Sequence, residues 1–245
     1  MGARIQKGTV FKCVGDVGYN LEMQITAIIF DLDGTVIDNE QLWEEAFVKV
    51  AQSKGFAKPK LVMENGWWHE PGLGLSANWR RLVSDSENKI VDAIEKLVGL
   101  TVKEYNDLRL SVSLRDGVEE AVAIAKERKW QTGLCTGSTW SIVEKELEEM
   151  SMQLAFDVTI TGEEVYISKP DPEIYLLAMQ KLGIEPAEGL VVEDAIAGIR
   201  SAKEAGLKVI GLVSGYATKE MMQAAGADYV ASDFADVIEL FKTIE

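Results

Sequence analysis

The chain has 245 residues, 47% of them hydrophobic, enough for one large core or a core with a smaller second unit. Its 40 acids against 25 bases leave a net charge of −15, which disfavours nucleic acid and acidic membranes as partners. It contains no run of eighteen apolar residues, and Cys13 and Cys135 are too few for a disulfide framework, so a cytoplasmic protein is expected.

Residues 1–22 show no clear period and no apolar stretch of the signal-peptide kind, and they read as an N-terminal extension. Gln24–Phe30 is the first core strand, and it runs straight into Asp31-Leu32-Asp33-Gly34-Thr35. From Asn39 the apolar residues Leu42, Trp43, Ala46, Phe47, Val50 and Ala51 recur at helical spacing up to Lys54-Gly55. An irregular stretch from Pro59 to Gly74 carries Trp67-Trp68-His69, and helices are predicted over 78–83, 87–98 and 102–112. Residues 39–112 are therefore expected to be an all-helical insert.

Helices and strands then alternate. Helices are predicted over 117–128, 141–150, 172–182, 195–205, 219–225 and 233–244, and strands over 131–135, 156–160, 189–192, 208–213 and 229–231. Within the 141–150 helix, Glu144–Glu149 reads as a solvated face. This alternation predicts an α/β fold, a doubly wound, Rossmann-like parallel sheet. The expected division is a core of residues 23–38 and 113–245 with the helical unit, 39–112, inserted.

Polar signals stand near the ends of separate elements: Asp31 and Asp33, Thr136-Gly137-Ser138, Lys169-Pro170, and Glu193-Asp194. Parallel strands bring their carboxyl ends to one edge of the sheet, so these groups can converge. Their chemistry suits phosphoryl transfer. Asp31 would attack phosphorus, and Asp33 would carry the proton to and from the leaving oxygen. Asp31, Asp33, Glu193 and Asp194 offer an oxygen-only donor set for Mg²⁺. Thr136 and Lys169, with Gly137 and Ser138, would hold the phosphoryl oxygens. Trp67 and His69 are candidate substrate contacts from the insert.

The four signals, in this order, resemble those of the haloacid dehalogenase-like hydrolase superfamily, in the branch with a helical cap after the first motif. The run from Ile167 to Gly206 is similar to β-phosphoglucomutase-like proteins and sugar-phosphate phosphatases. The resemblance implies Mg²⁺, an aspartyl-phosphate, a small phosphorylated metabolite as substrate and a cap closing over the site. One departure is Trp43, where many relatives carry a histidine that mutases use. Hydrolysis is therefore expected over phosphomutase activity. A receiver-like phospho-acceptor module would need neither the insert nor Asp33, and Asp33 with Thr35 favours phosphate chemistry over dehalogenation.

Overall fold

The computed structural model describes residues 25–59, 66–85, 93–109 and 112–244. The expected N-terminal extension, Cys13 and the start of the predicted 87–98 helix lie outside these residues. Six strands form one sheet: β1 (Ala27–Phe30), β2 (Gln131–Cys135), β3 (Val158–Ile160), β4 (Gly189–Glu193), β5 (Lys208–Leu212) and β6 (Tyr229–Ala231). Their order is β3-β2-β1-β4-β5-β6, and every adjacent pair is parallel. The doubly wound sheet expected from the sequence is therefore present, with β1 at its centre.

β1 and β4 are buried on both faces, which is why apolar residues run through them without alternation. Ile28 and Phe30 pack with one layer, formed by α4 (Val118–Glu127), α5 (Trp140–Glu149) and α9 (Phe234–Thr243). Ala27 and Ile29 pack with the other, formed by α6 (Glu173–Leu182), α7 (Ile196–Glu204) and α8 (Lys219–Ala225).

The insert between β1 and α4 contains α1 (Glu40–Ser53), α2 (Leu75–Asp85) and α3 (Ile94–Leu108). Phe47, Val50, Phe56, Trp79, Leu82 and Leu97 give it a core of its own. A second cluster, Trp43, Ala46 and Tyr105 against Ile142 of α5, joins the insert to the α/β layers. The two helices predicted over 87–98 and 102–112 are corrected to the single helix α3, and Val112 lies outside it. Gly99 does not break α3 because Leu97, Thr101 and Tyr105 bury one continuous stripe, while Gly99 faces solvent. Among the described residues, no helix is long and apolar enough to cross a membrane.

Candidate active site

The chain leaves β1 through a tight turn. The Leu32 carbonyl accepts from the amides of Thr35, Val36 and Ile37 at 3.3, 2.9 and 3.0 Å. Gly34 sits in this turn at φ +84, where a Cβ would lie 2.2 Å from Asp194 Oδ2. Only glycine meets both demands. The turn presents Asp31 between β1 and β4, where the winding of the sheet reverses and ligands of such folds bind.

Lys169 is the electrostatic centre of this edge. Its buried ammonium donates to Asp31 Oδ1 at 2.6 Å, Glu193 Oε2 at 2.8 Å and the Cys135 carbonyl at 3.2 Å. Those are all three of its protons. Burial alone would lower the Lys169 pKa, but Asp31 and Glu193 hold it well above the usual lysine range. Burial, followed by the charge of Glu193, pushes Asp31 well above the carboxylate range. Burial and the nearby Glu40 do the same to Asp194.

Asp31, Glu193 and Asp194 offer ligand oxygens within 4.8 Å of one another. Glu193 is otherwise engaged, accepting from Lys169 and from the Tyr175 hydroxyl at 2.7 Å through Oε2, and from the Ala195 amide at 3.0 Å through Oε1. Asp194 accepts from Thr35 at 2.9 Å through Oδ1, but its Oδ2 is buried without a partner. An orphaned anionic oxygen beside other carboxylates fits a bound cation, and an all-oxygen set suits Mg²⁺.

Asp33 stands apart from that cluster. Its Oδ2 accepts from the Thr136 hydroxyl at 3.0 Å and the Ser138 hydroxyl at 2.7 Å. Its Oδ1 accepts from Asn39 Nδ2 and Trp43 Nε1, each at 2.7 Å. The structure thus brings Asp33 to Thr136 and Ser138, with both of its oxygens engaged outside the group of three acids.

Behind Asp33 lies a buried ladder. Trp43 stacks on Tyr105 at 3.7 Å, and Asn39 also donates to the Tyr105 hydroxyl at 3.0 Å. Tyr105 donates to Glu146 Oε1 at 2.6 Å, where Arg109 Nη1 adds a bond of 3.1 Å. The expected solvated face of α5 is therefore corrected at Glu146, which is fully buried. It shares the inward face of α5 with Ile142 and Val143, four and three residues away. Burial, with Asp33 nearby, pushes Glu146 up to about 8 against the bonds from Tyr105 and Arg109.

His69 is buried between two carboxylates of α1, 2.9 Å from Glu44 and 3.2 Å from Glu40. Burial would lower its pKa, but these bonds push it up to about 9. His69 borders a cleft together with Asp31, Asp33, Gly137 and Ser138. Trp67 stacks on His69 at 5.7 Å but borders the neighbouring cleft, with Tyr216. Of the two insert residues singled out in the sequence, only His69 borders the Asp31 cleft.

The family profile of the haloacid dehalogenase-like hydrolases matches residues 25–206. The chain is also 31% identical over 204 residues to the phosphorylated carbohydrates phosphatase of Thermotoga maritima, covering 82% of this chain and 91% of that one. The chain belongs to the haloacid dehalogenase-like hydrolases. It is accordingly an enzyme, and its resemblance to this family, read from four short motifs, holds. Hexitol phosphatase B of Escherichia coli K12 is 28% identical over 76% of this chain and 83% of its own length. Among solved structures, CbbY from Rhodobacter sphaeroides in complex with xylulose-(1,5)bisphosphate superposes with a TM-score of 0.73 at 26% identity, over 86% of this chain and 96% of that one.

Within this haloacid dehalogenase-like frame, Asn39, Trp43, Tyr105, Arg109 and Glu146 escaped the sequence reading as companions of Asp33. Trp43 and Ala46 showed helical spacing, but nothing in the sequence set the partners of their buried face. The pairing of Glu40 and Glu44 with His69 carried a faint signal, two acids four residues apart on one helix face.

Proposed function

We propose that the chain is a Mg²⁺-dependent phosphatase that hydrolyses a small phosphorylated sugar or related polyol through an aspartyl-phosphate. The observation that carries this reading is the buried Lys169 ammonium shared by Asp31 and Glu193, next to the unpartnered Asp194 oxygen. The names of relatives, a phosphorylated carbohydrates phosphatase and a hexitol phosphatase, support the substrate class. The helical insert, residues 39–112, acts in this reading as a cap over the cleft.

Asp31 and Asp194 would hold Mg²⁺ with Glu193 behind them, and the ion would draw charge from the phosphoryl oxygens. An Asp31 carboxylate oxygen attacks phosphorus as the bond from phosphorus to the ester oxygen breaks. Asp33 gives that oxygen its proton, releasing the alcohol. Asp33 then takes a proton from the water that attacks the aspartyl-phosphate, and phosphate leaves as Asp31 regains its carboxylate. Lys169 keeps Asp31 oriented and offsets charge on the transferred group. Thr136 and Ser138 orient Asp33, and the backbone at Gly137 borders the phosphoryl side of the cleft.

The test is phosphate release from a panel of sugar and polyol phosphates, with and without Mg²⁺. Release should require the metal, and Asp31→Asn should lower it at least about a thousandfold while the fold is kept. An Asp31→Asn variant with full activity would remove Asp31 as nucleophile.

A further inference from the structure

The cleft that holds Asp31 continues along the insert past Glu40, Trp43, Glu70 and Leu75. Its charge is one-sided. Asp31, Asp33, Glu40 and Glu70 all border it, and among its bordering residues His69 alone can be a cation. His69 is already shared between Glu40 and Glu44. Lys169, below Asp31, spends all its protons on Asp31, Glu193 and Cys135. Arg81 reaches the back of Glu70 at 2.7 Å and the Trp68 carbonyl at 2.9 Å, which fixes the Glu70 carboxylate in place.

The neighbouring cleft shares Glu40 and adds Lys49 and Arg115. Lys49 pairs with Glu104, and Arg115 with Asp38 at 3.3 Å, while Arg115 Nε is buried without a partner. Among the described residues, every cation bordering either cleft faces a carboxylate. Along the Asp31 cleft, a second phosphate or a carboxylate on the leaving group would meet carboxylates and, among the described bordering residues, no uncommitted counter-ion. A hydroxyl-rich leaving group meets the opposite situation. Glu40 and Glu70 are acceptors for its hydroxyls, and Trp43 and Leu75 offer apolar surface to its carbons.

We infer that the substrate carries a single phosphate on an uncharged, hydroxyl-rich alcohol, and that Glu70 is a specificity-determining residue that turns away a second anion. The inference rests on the phosphatase reading above and narrows it. It also separates hydrolysis from mutase chemistry, which needs a bisphosphate to be accommodated in this cleft.

Three substrates with a common six-carbon skeleton test it on the full chain with Mg²⁺: glucitol 6-phosphate, 6-phosphogluconate and fructose 1,6-bisphosphate. The second differs from the first chiefly by a carboxylate, the third by a second phosphate and a furanose ring. The wild type should favour glucitol 6-phosphate in kcat/KM by at least about tenfold over each of the others. Glu70→Gln keeps the shape, removes the charge and releases Arg81 toward the cleft, so it should narrow both ratios by at least about threefold. Equal or preferential hydrolysis of the two-anion substrates by the wild type would overturn the inference and leave the phosphatase reading standing. Unchanged ratios in a folded Glu70→Gln protein would remove Glu70 as the determinant. No phosphate released from any of the three, or from p-nitrophenyl phosphate, would overturn the phosphatase reading and this inference together. The wild-type ratios decide the substrate class even if the variant does not fold.

Discussion

His69 shows what a single residue contributes through its partners. Buried between Glu40 and Glu44, it also donates its backbone amide to Glu44 at 3.1 Å, so one carboxylate fastens both the ring and the chain. Its pKa in the folded protein, about 9, lies above the ordinary 6.5. A raised value means that the stabilisation is fully present below pH 6.5 and is lost as pH rises through 9. The corresponding free energy is about 3 kcal/mol at most. Urea unfolding between pH 6 and pH 10 should show the wild type losing this stability, while His69→Gln starts lower and lacks that part of the slope. Parallel slopes in the two proteins would mean that His69 is neutral in the fold. At this scale Asp31, Asp33 and Thr136 were legible from an apolar strand followed by a glycine, Glu193 and Asp194 from the strand they end, and Lys169 from the proline beside it. Glu146 was not, since an acid in a charged helix looks the same whether its face meets water or Tyr105.

Among elements, the strands were the easiest to read. Buried parallel strands such as Ala27–Phe30 and Gly189–Glu193 are unbroken apolar runs that end at polar residues, so their limits fell within a few residues of the expectation. Helix α3 was harder, because Gly99 resembles a stop and only the burial of Leu97, Thr101 and Tyr105 overrides it. Gly99 is exposed, and a Cβ there would meet nothing within 4 Å. Gly99→Ala should therefore raise stability by about 0.5–1 kcal/mol, seen as a higher urea midpoint with unchanged kcat and KM. A loss of stability would show that α3 needs glycine there for a reason other than helix geometry.

For the whole molecule, the decisive quantity is the charge gathered where the sheet reverses its winding. Three buried carboxylates, Asp31, Glu193 and Asp194, gather there, and the Lys169 ammonium pairs with two of them, Asp31 and Glu193. A divalent cation bound there stabilises the folded protein alone, by about 2.7 kcal/mol at a hundred times its Kd. Mg²⁺ should accordingly raise Tm in a concentration-dependent way, EDTA should reverse the rise, and Asp194→Asn should flatten the titration. An unchanged Tm across millimolar Mg²⁺ in the wild type would count against a metal at this edge. The gathering itself was predictable from the alternation of elements, because a doubly wound sheet must bring its strand ends together. The ladder from Asp33 to Arg109 was not, since it joins α1, α3 and α5 across a packing seam that no local pattern specifies.

The position of β1 also bears on how the protein is made. The strand that carries Asp31 precedes both of its neighbours in the chain, with β2 beginning at Gln131 and β4 at Gly189. On the ribosome it therefore emerges as an apolar segment with neither flank covered, while the insert can already bury Phe47, Trp79 and Leu97 among themselves. A nascent chain released before Gly189 keeps one open edge on β1 and lacks Glu193 and Asp194 altogether. Asp31, the nucleophile in the proposed reaction, is thus translated early and completed late, so a truncated product carries Asp31 without its acidic partners.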